Sequence, residues 1–161
     1  MIYSYPNLNF NCEVEIRKPV EYEDGSIYYG EWKKGTKERT GRGIQIWEDG
    51  TRYEGYLLNN KANIKGKLTH GDGDIYEGAW LNGKAEGYGI YKHLDGSIYK
   101  GKWKQDKQHG EGQECWPDQS IYKGEYQFGK KEGHGIFIWG DGSNYEGEFE
   151  DNLINGKGKL I

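Results

Sequence analysis

Proline is almost missing, with 3 in 161 residues. That excludes a polyproline linker, and glycine (27 residues) without proline excludes collagen triplets. Cysteine is as scarce: Cys12 and Cys115 lie far apart, too few for a disulfide framework, so two free thiols in a reducing compartment are expected. No apolar run is long enough to cross a bilayer as a helix. The opening residues MIYSYPNLNF have neither the basic end nor the apolar core of a signal peptide, so a cytoplasmic protein is expected. A basic excess is also lacking. The net charge is -4, which argues against nucleic acid as a partner, because phosphate binding draws on surplus Lys and Arg.

Glycine and aromatic rings are there, and they recur. Aromatics make up 15% of the chain, against disorder. Tyr-x-Gly opens at Tyr28, Tyr53, Tyr76, Tyr99, Tyr122 and Tyr145, in steps of 25 and then 23. A fixed period of this size marks a repeat protein whose units contact mainly their neighbours. Within one copy, Tyr76, Gly78 and Trp80 alternate with Glu77 and Ala79, the period of a strand. Asn82-Gly83 is a hairpin turn signal. Gly87, Gly89 and Tyr91 alternate with Tyr88, Ile90 and Lys92 as a second strand, and Asp95-Gly96 turns into the next copy. The unit is a β-hairpin and the chain an antiparallel meander of hairpins.

The copies support one another. The first turn carries Gly35, Asn60, Gly83, Asp106, Gly129 and Asn152, residue types that tolerate positive φ. The second turn carries Asp24, Asp49, Asp72, Asp95, Asp118 and Asp141, each followed by Gly except Asp118, where Gln119 stands. A ring column runs through Trp32, Leu57, Trp80, Trp103, Tyr126 and Phe149. Between it and the Tyr column lie Gly30, Gly55, Gly78, Gly101, Gly124 and Gly147. A glycine between two rings leaves a hollow for a ring from a neighbouring strand. The pairs Gly41/Gly43, Gly87/Gly89, Gly110/Gly112, Gly133/Gly135 and Gly156/Gly158 are expected to do the same for the second strand.

The stretch YEGAWLNGKAEGYGIYKHLDGSIY resembles a MORN (membrane occupation and recognition nexus) repeat, and the resemblance covers residues 22–161 in six copies. It implies an all-β fold: a curved single-layer antiparallel meander of tandem MORN β-hairpins, about six repeats plus an N-terminal half-repeat. Family members act as scaffolds at membranes, in cytoskeletal collars and in cilia. The second copy departs from the pattern at Leu57, Asn60 and Ile64, and the first has two extra residues between Gly35 and Gly41. Residues 1–16 are expected as an N-terminal tether or edge strand, with Cys12, Val14 and Ile16 alternating. Residues 17–161 form the MORN-repeat array, opening on a half-repeat with Tyr22 where later copies have Trp or His.

Two surfaces are candidates for function. Tyr22, Trp47, His70, His93, Trp116 and Trp139 form one column two residues before each turn Asp, an aromatic rail for a partner or packing beneath the turns. Lys33, Lys34, Lys37, Lys61, Lys84, Lys104, Lys107, Lys130 and Lys131 gather at the first turns and form a basic edge that an anionic lipid surface would attract. Glu38, Glu86, Asp106 and Glu132 dilute that edge, so membrane docking is the weaker alternative. His70 and His93 near Asp72, Asp74 and Asp95 are metal-ligand types, but the repeat already explains their spacing and no metal is expected. Asp72-Gly-Asp74 lacks the rest of a calcium loop. The Gly-x-Gly pairs sit in strands with no helix to offer its N-terminus to a phosphate. No catalytic residues and no cofactor are expected. The expected role is a non-enzymatic scaffold for other proteins, cytoskeletal or ciliary (axonemal) by the family resemblance, with self-association through the terminal strands.

Overall fold

Strict alternation of rings and polar residues should commit each copy to strands, and it does. The computed structural model describes residues 11–161, and among them there is no helix. The expected tether therefore falls largely on residues 1–10, outside those described. β1 (Val14–Ile16) and β2 (Val20–Glu21) precede six hairpins. These are β3 (Ile27–Lys33) with β4 (Arg39–Ile46), β5 (Arg52–Leu58) with β6 (Lys61–Thr69), and β7 (Ile75–Leu81) with β8 (Lys84–Lys92). Then come β9 (Ile98–Lys104) with β10 (Lys107–Cys115), β11 (Ile121–Gln127) with β12 (Lys130–Ile138), and β13 (Asn144–Glu150) with β14 (Leu153–Leu160). All 14 lie in one open antiparallel meander, each pairing its neighbour in sequence from β3 onward. β1 and β2 share the outer side of β3, pairing different halves of it, with Lys18 and Pro19 in the gap where a ladder N–H would be missing.

The turns set this order. Residues 59 and 60, 82 and 83, 105 and 106, 128 and 129, and 151 and 152 all have positive φ, which makes two-residue primed hairpins. The extra pair in the first copy lengthens its loop to residues 34–37, closed by Thr36 donating to the Lys33 carbonyl. The second turns are three-residue loops: His93 N–H bonds Ser97 O, Gly96 N–H bonds His93 O, and Gly96 has φ +98°. Gln119 adopts φ +69° where the other copies use Gly.

The core lies on one face. Each column Tyr folds over the glycine two residues on and donates its hydroxyl to the carbonyl three residues on, at 2.6–3.2 Å in all six copies. Beneath the ring sits the partner glycine of the next strand: Gly43, Gly66, Gly89, Gly112, Gly135 or Gly158, where an added Cβ would come within 3.0 Å of the ring. For these glycines the ring comes from the neighbouring strand, as expected; over Gly30, Gly55, Gly78, Gly101, Gly124 and Gly147 it comes from the Tyr two residues earlier on the same strand, which corrects the expectation. The rings of the next column, from Trp80 on, interleave edge-to-face. Tyr53–Trp80–Tyr76–Trp103–Tyr99–Tyr126–Tyr122–Phe149–Tyr145 is one unbroken series, with centroids 5.0–5.5 Å apart and planes 80–88° apart. Leu57 interrupts it, so among the described rings Tyr28 and Trp32 meet each other alone, at 5.2 Å. The opposite face carries exposed Lys100, Lys102, Lys123, Glu125, Glu146 and Glu148, whereas Tyr56, in the same column as Lys102, is buried at 3% exposure.

The first glycine of each Gly-x-Gly pair does another job than expected. Gly41, Gly87, Gly110, Gly133 and Gly156 have φ between +68° and +103°, at the bulge that shifts register inside each hairpin. No ring needs them bare; the left-handed backbone does. In the second copy the same position is Ile64, forced to φ +64°. A β-branched residue there carries roughly 1–2 kcal/mol of strain. Ile64→Gly should therefore stabilise the protein by about 1 kcal/mol after the extra chain entropy of glycine. Urea unfolding that shows no gain, or a loss, would contradict this account of the bulge.

Candidate functional site

Outside the sealed Tyr layer lies a second, partly open layer. Tyr22, Trp47, His70, Trp116 and Trp139 are half-buried and His93 is exposed. They stand at the end of each second strand, held by the three-residue loop that follows. Tyr22 and Trp47 pack against the core of the first three copies, and Trp116, Phe137 and Trp139 against the core of the last three. Trp116 stacks on Phe137 at 5.7 Å and Phe137 meets Trp139 at 5.1 Å. In the middle copies Tyr91 fills the equivalent space, 4.6 Å from His93 and 6.3 Å from His70. The candidate rail is thus a row of rings, each with one side packed and one side available.

The turn carboxylates are spoken for. Asp24, Asp49, Asp72, Asp95, Asp118 and Asp141 each accept from the backbone N–H two residues on, at 2.7–3.1 Å. Asp24, Asp118 and Asp141 also take the serine hydroxyl there. Asp74 occupies the usual Ser or Thr position and reaches into the next copy, accepting from Leu94 N–H at 2.9 Å and from the Tyr91 hydroxyl at 2.8 Å. His93 Nδ1 lies 3.4 Å from the same carboxylate. The Leu94 N–H and then the Tyr91 hydroxyl hold Asp74 below the ordinary carboxylate range. Among the described residues no group of three or more His, Cys, Asp or Glu is arranged to hold a metal ion.

These bonds make the fold acid-sensitive. Asp24, Asp118 and Asp141 are lowered first by the serine hydroxyl and then by the backbone N–H, whereas in Asp49 and Asp95 the N–H leads. A carboxylate whose folded value lies below its unfolded one adds stability that is present above about pH 4 and lost as pH falls through the folded value. Thermal melts followed by circular dichroism should hold level from pH 7 to about 5 and drop steadily below about 4. A midpoint unchanged at pH 3 would overturn this.

At the first-turn edge most charges have local work. Lys34 pairs with Glu13 at 2.7 Å, Lys130 with Asp151 at 2.6 Å and Lys33 with Glu38 at 3.5 Å. Lys104 lies over Phe128. Lys37, Lys61, Lys84 and Lys107 form no ion pair among the described residues. Asn60, Asp106 and Asn152 stitch one copy to the previous one by accepting from the backbone N–H of Arg39, Ala85 and Lys131 at 2.7–2.8 Å.

Two residue columns that sequence reading passed over shape the aromatic face. One runs Arg39, Ala62, Ala85, Gln108, Lys131, and the other Gln45, Leu68, Tyr91, Glu114, Phe137. Lys131 leaves the basic edge and lies across the face, 5.1 Å from the Trp116 ring centre and 5.3 Å from that of Tyr122. Its amine is 3.6 Å from Glu114, and both side chains are only 16% exposed. Gln108 donates to the same carboxylate at 2.9 Å. Burial pushes the nearby Tyr122 hydroxyl up to about 12, so it stays neutral. At the other end Arg39 lies over Tyr22 and Tyr28 and donates to Gln45 Oε1 at 2.8 Å. Beside it, over β5 and β6, a hollow of about 310 Å³ opens between Trp47, Leu57, Leu68 and Trp80. The signal for these features was there in the variation between copies, read down each column instead of along the repeat.

The MORN repeat family model matches residues 28–52, 76–98, 99–121, 122–144 and 145–161. The unmatched stretch 53–75 holds Leu57 and Ile64. No curated protein matches the chain. Among solved structures, the TCP10 domain of Danio rerio CPAP in complex with a peptide of Danio rerio STIL is 11% identical. That match covers 89% of this chain and 70% of that one, at a TM-score of 0.37. The SAS-4 (dCPAP) TCP domain of Drosophila melanogaster, in complex with a proline-rich motif of Ana2, is 16% identical over 89% of this chain and 88% of that one, at 0.34. At these scores the two likenesses carry nothing further.

Proposed function

Because the chain belongs to the MORN repeat family, we propose that it is a scaffold, presenting its aromatic face as a docking surface for other proteins of a larger assembly. The observation that carries this is the two-layer arrangement of rings. Tyr28, Tyr99 and Tyr122 are sealed completely and hold the sheet, while Trp47, Trp116 and Trp139 keep one side accessible along the second-turn edge. Rings of this kind, rigid and half-desolvated, are the residue types that dominate protein interfaces. A cytoskeletal or ciliary setting is the part of this reading that rests on the settings in which the family works. The array itself is read as residues 17–161, with the segment before it serving as its edge.

The open edges of β1 and β14 belong to the same reading. Among the described residues each leaves a row of backbone groups unpaired, and β14 adds Leu153 and Leu160 at 69% and 72% exposure, so a strand from a second copy or a partner would extend the ladder. Docking of the lysine edge on anionic lipid ranks behind protein docking. Lys33, Lys34 and Lys130 are already paired with carboxylates and Lys131 faces the rings.

The test is affinity capture from cells with the full chain, comparing wild type with a Trp116→Ala, Trp139→Ala double variant at a temperature where both are folded. Specific partners should be retained at physiological salt by the wild type, and the variant should lose about 2 kcal/mol of binding, roughly thirtyfold. Equal capture by both would remove the rail from the function. Capture of phosphoinositide vesicles that vanishes as salt rises, without protein partners, would give the role to the lysine edge.

A further inference from the structure

The second copy departs most from the repeat, and its Leu57 and Ala62 meet at one spot of the face. Leu57 stands where the other copies place Trp32, Trp80, Trp103, Tyr126 and Phe149. Ala62, like Ala85 in the next copy, stands where Arg39 and Lys131 reach over the rings elsewhere. Leu57 is itself buried, at 3% exposure, so it floors the gap without filling it. What remains is the hollow of about 310 Å³, near the lower end of the roughly 300–1,000 Å³ of small-molecule sites and suited to one large side chain.

The charges around the hollow are one-sided. Its lining includes Arg39 and Lys61 and no carboxylate, in a chain where 26 acids outnumber 22 bases. Among the described residues Arg39 hydrogen-bonds only neutral groups of Gln45 and Asn60, with the Asp24 carboxylate in electrostatic reach but not paired to it, and Lys61 has no ion pair. Four copies on from Arg39, the corresponding cation Lys131 is already matched by Glu114 across the rings. The hollow is therefore a place on the aromatic face where an apolar cavity and unpaired positive charge coincide.

We propose that this hollow takes a partner peptide that inserts one large apolar side chain, Trp, Phe or Leu, and sets a neighbouring Asp or Glu against Arg39 and Lys61. The proposal rests on the aromatic face being a protein-docking surface and names what one part of that surface selects. The apolar insertion supplies burial against Trp47 and Trp80. The carboxylate supplies direction and discrimination, since a lysine at the same peptide position meets two cations.

The experiment selects a displayed library of random peptides on the full-length protein and measures the enriched peptides by fluorescence polarisation. Enriched peptides should carry a large apolar residue beside Asp or Glu. Leu57→Trp, which puts into the gap the ring found in other copies, should weaken them tenfold or more while the melting midpoint holds or rises. Lys61→Glu, at an exposed position that leaves the fold intact, should weaken them about tenfold, and replacing the peptide carboxylate by its amide should remove most of that difference. Peptides that ignore Leu57→Trp but are lost in the Trp116→Ala, Trp139→Ala variant would overturn this inference and leave the docking face standing. No enrichment at all would overturn both. A dimer in sedimentation that Leu57→Trp dissolves would give the hollow to a second copy and overturn the peptide as its occupant.

Discussion

Tyr99→Ala should lower the unfolding free energy by about 3–5 kcal/mol, the cost of removing a fully buried large ring without collapse of its site. Tyr99 has no exposed surface. Its ring meets Trp103 at 5.1 Å and Tyr126 at 5.2 Å, both edge-on, and its hydroxyl donates to the Lys102 carbonyl at 2.7 Å. Below it are Gly101 and Gly112, bare backbone that cannot move up to fill the space. Tyr99→Phe keeps the ring and loses one hydrogen bond, so it should cost only about 1 kcal/mol. Because each ring of the second column from Trp80 on touches the Tyr of its own copy and the Tyr before it, the damage reaches both neighbours. Urea unfolding should remain one transition at a lower midpoint. A loss below about 1 kcal/mol for the alanine variant would show that the ring layer is not what holds the sheet.

Gly112→Ala should cost about 3 kcal/mol, although it adds a single methyl group. That methyl would sit 2.5 Å from the Tyr99 hydroxyl and 2.6–2.7 Å from two ring carbons. The ring cannot swing aside, because Trp103 and Tyr126 box it in. The double variant Tyr99→Ala, Gly112→Ala makes the claim specific. With the ring gone there is room for the methyl, so Gly112→Ala should be nearly neutral in that background, giving a coupling of about 3 kcal/mol. Gly110→Ala, two residues earlier, tests the other role of glycine. There φ is +74° and the nearest atom to an added Cβ is the Lys102 side chain at 3.3 Å. The expected loss is the roughly 1–2 kcal/mol of left-handed strain, indifferent to the ring. If the two glycines cost the same in both backgrounds, the division of labour within the Gly-x-Gly pair is wrong.

That division marks the boundary of what could be read from residues alone. Six copies give six independent views of each position, so strand, turn and period were legible without coordinates. Asn60, Gly83, Asp106, Gly129 and Asn152 announce positive φ because few other residues accept it, and each adopts it. The turn Asp column was legible as position but not as purpose, since its partner is a backbone N–H that no letter records. The bulge was invisible for a related reason. It comes from a register shift between two strands, and alternation along either strand looks the same with or without it. Glu114 and Lys131 lie in different copies and in columns that vary, so no repeat pattern brings them together; the sheet does, at 3.6 Å.

Local chemistry therefore determined the hairpins, their number and the face that would carry rings, because turn preference and period-two alternation act within a few residues. Which strand's ring covers which glycine was decided only in three dimensions, because close packing depends on register across strands. The same is true of the second copy. As letters, Leu57 is a lapse in a motif and Ala62 a small residue that the next copy repeats; placed between Trp47 and Trp80, the two side chains become the floor of an empty volume with a positive rim, and only neighbours assembled around a gap can make it one.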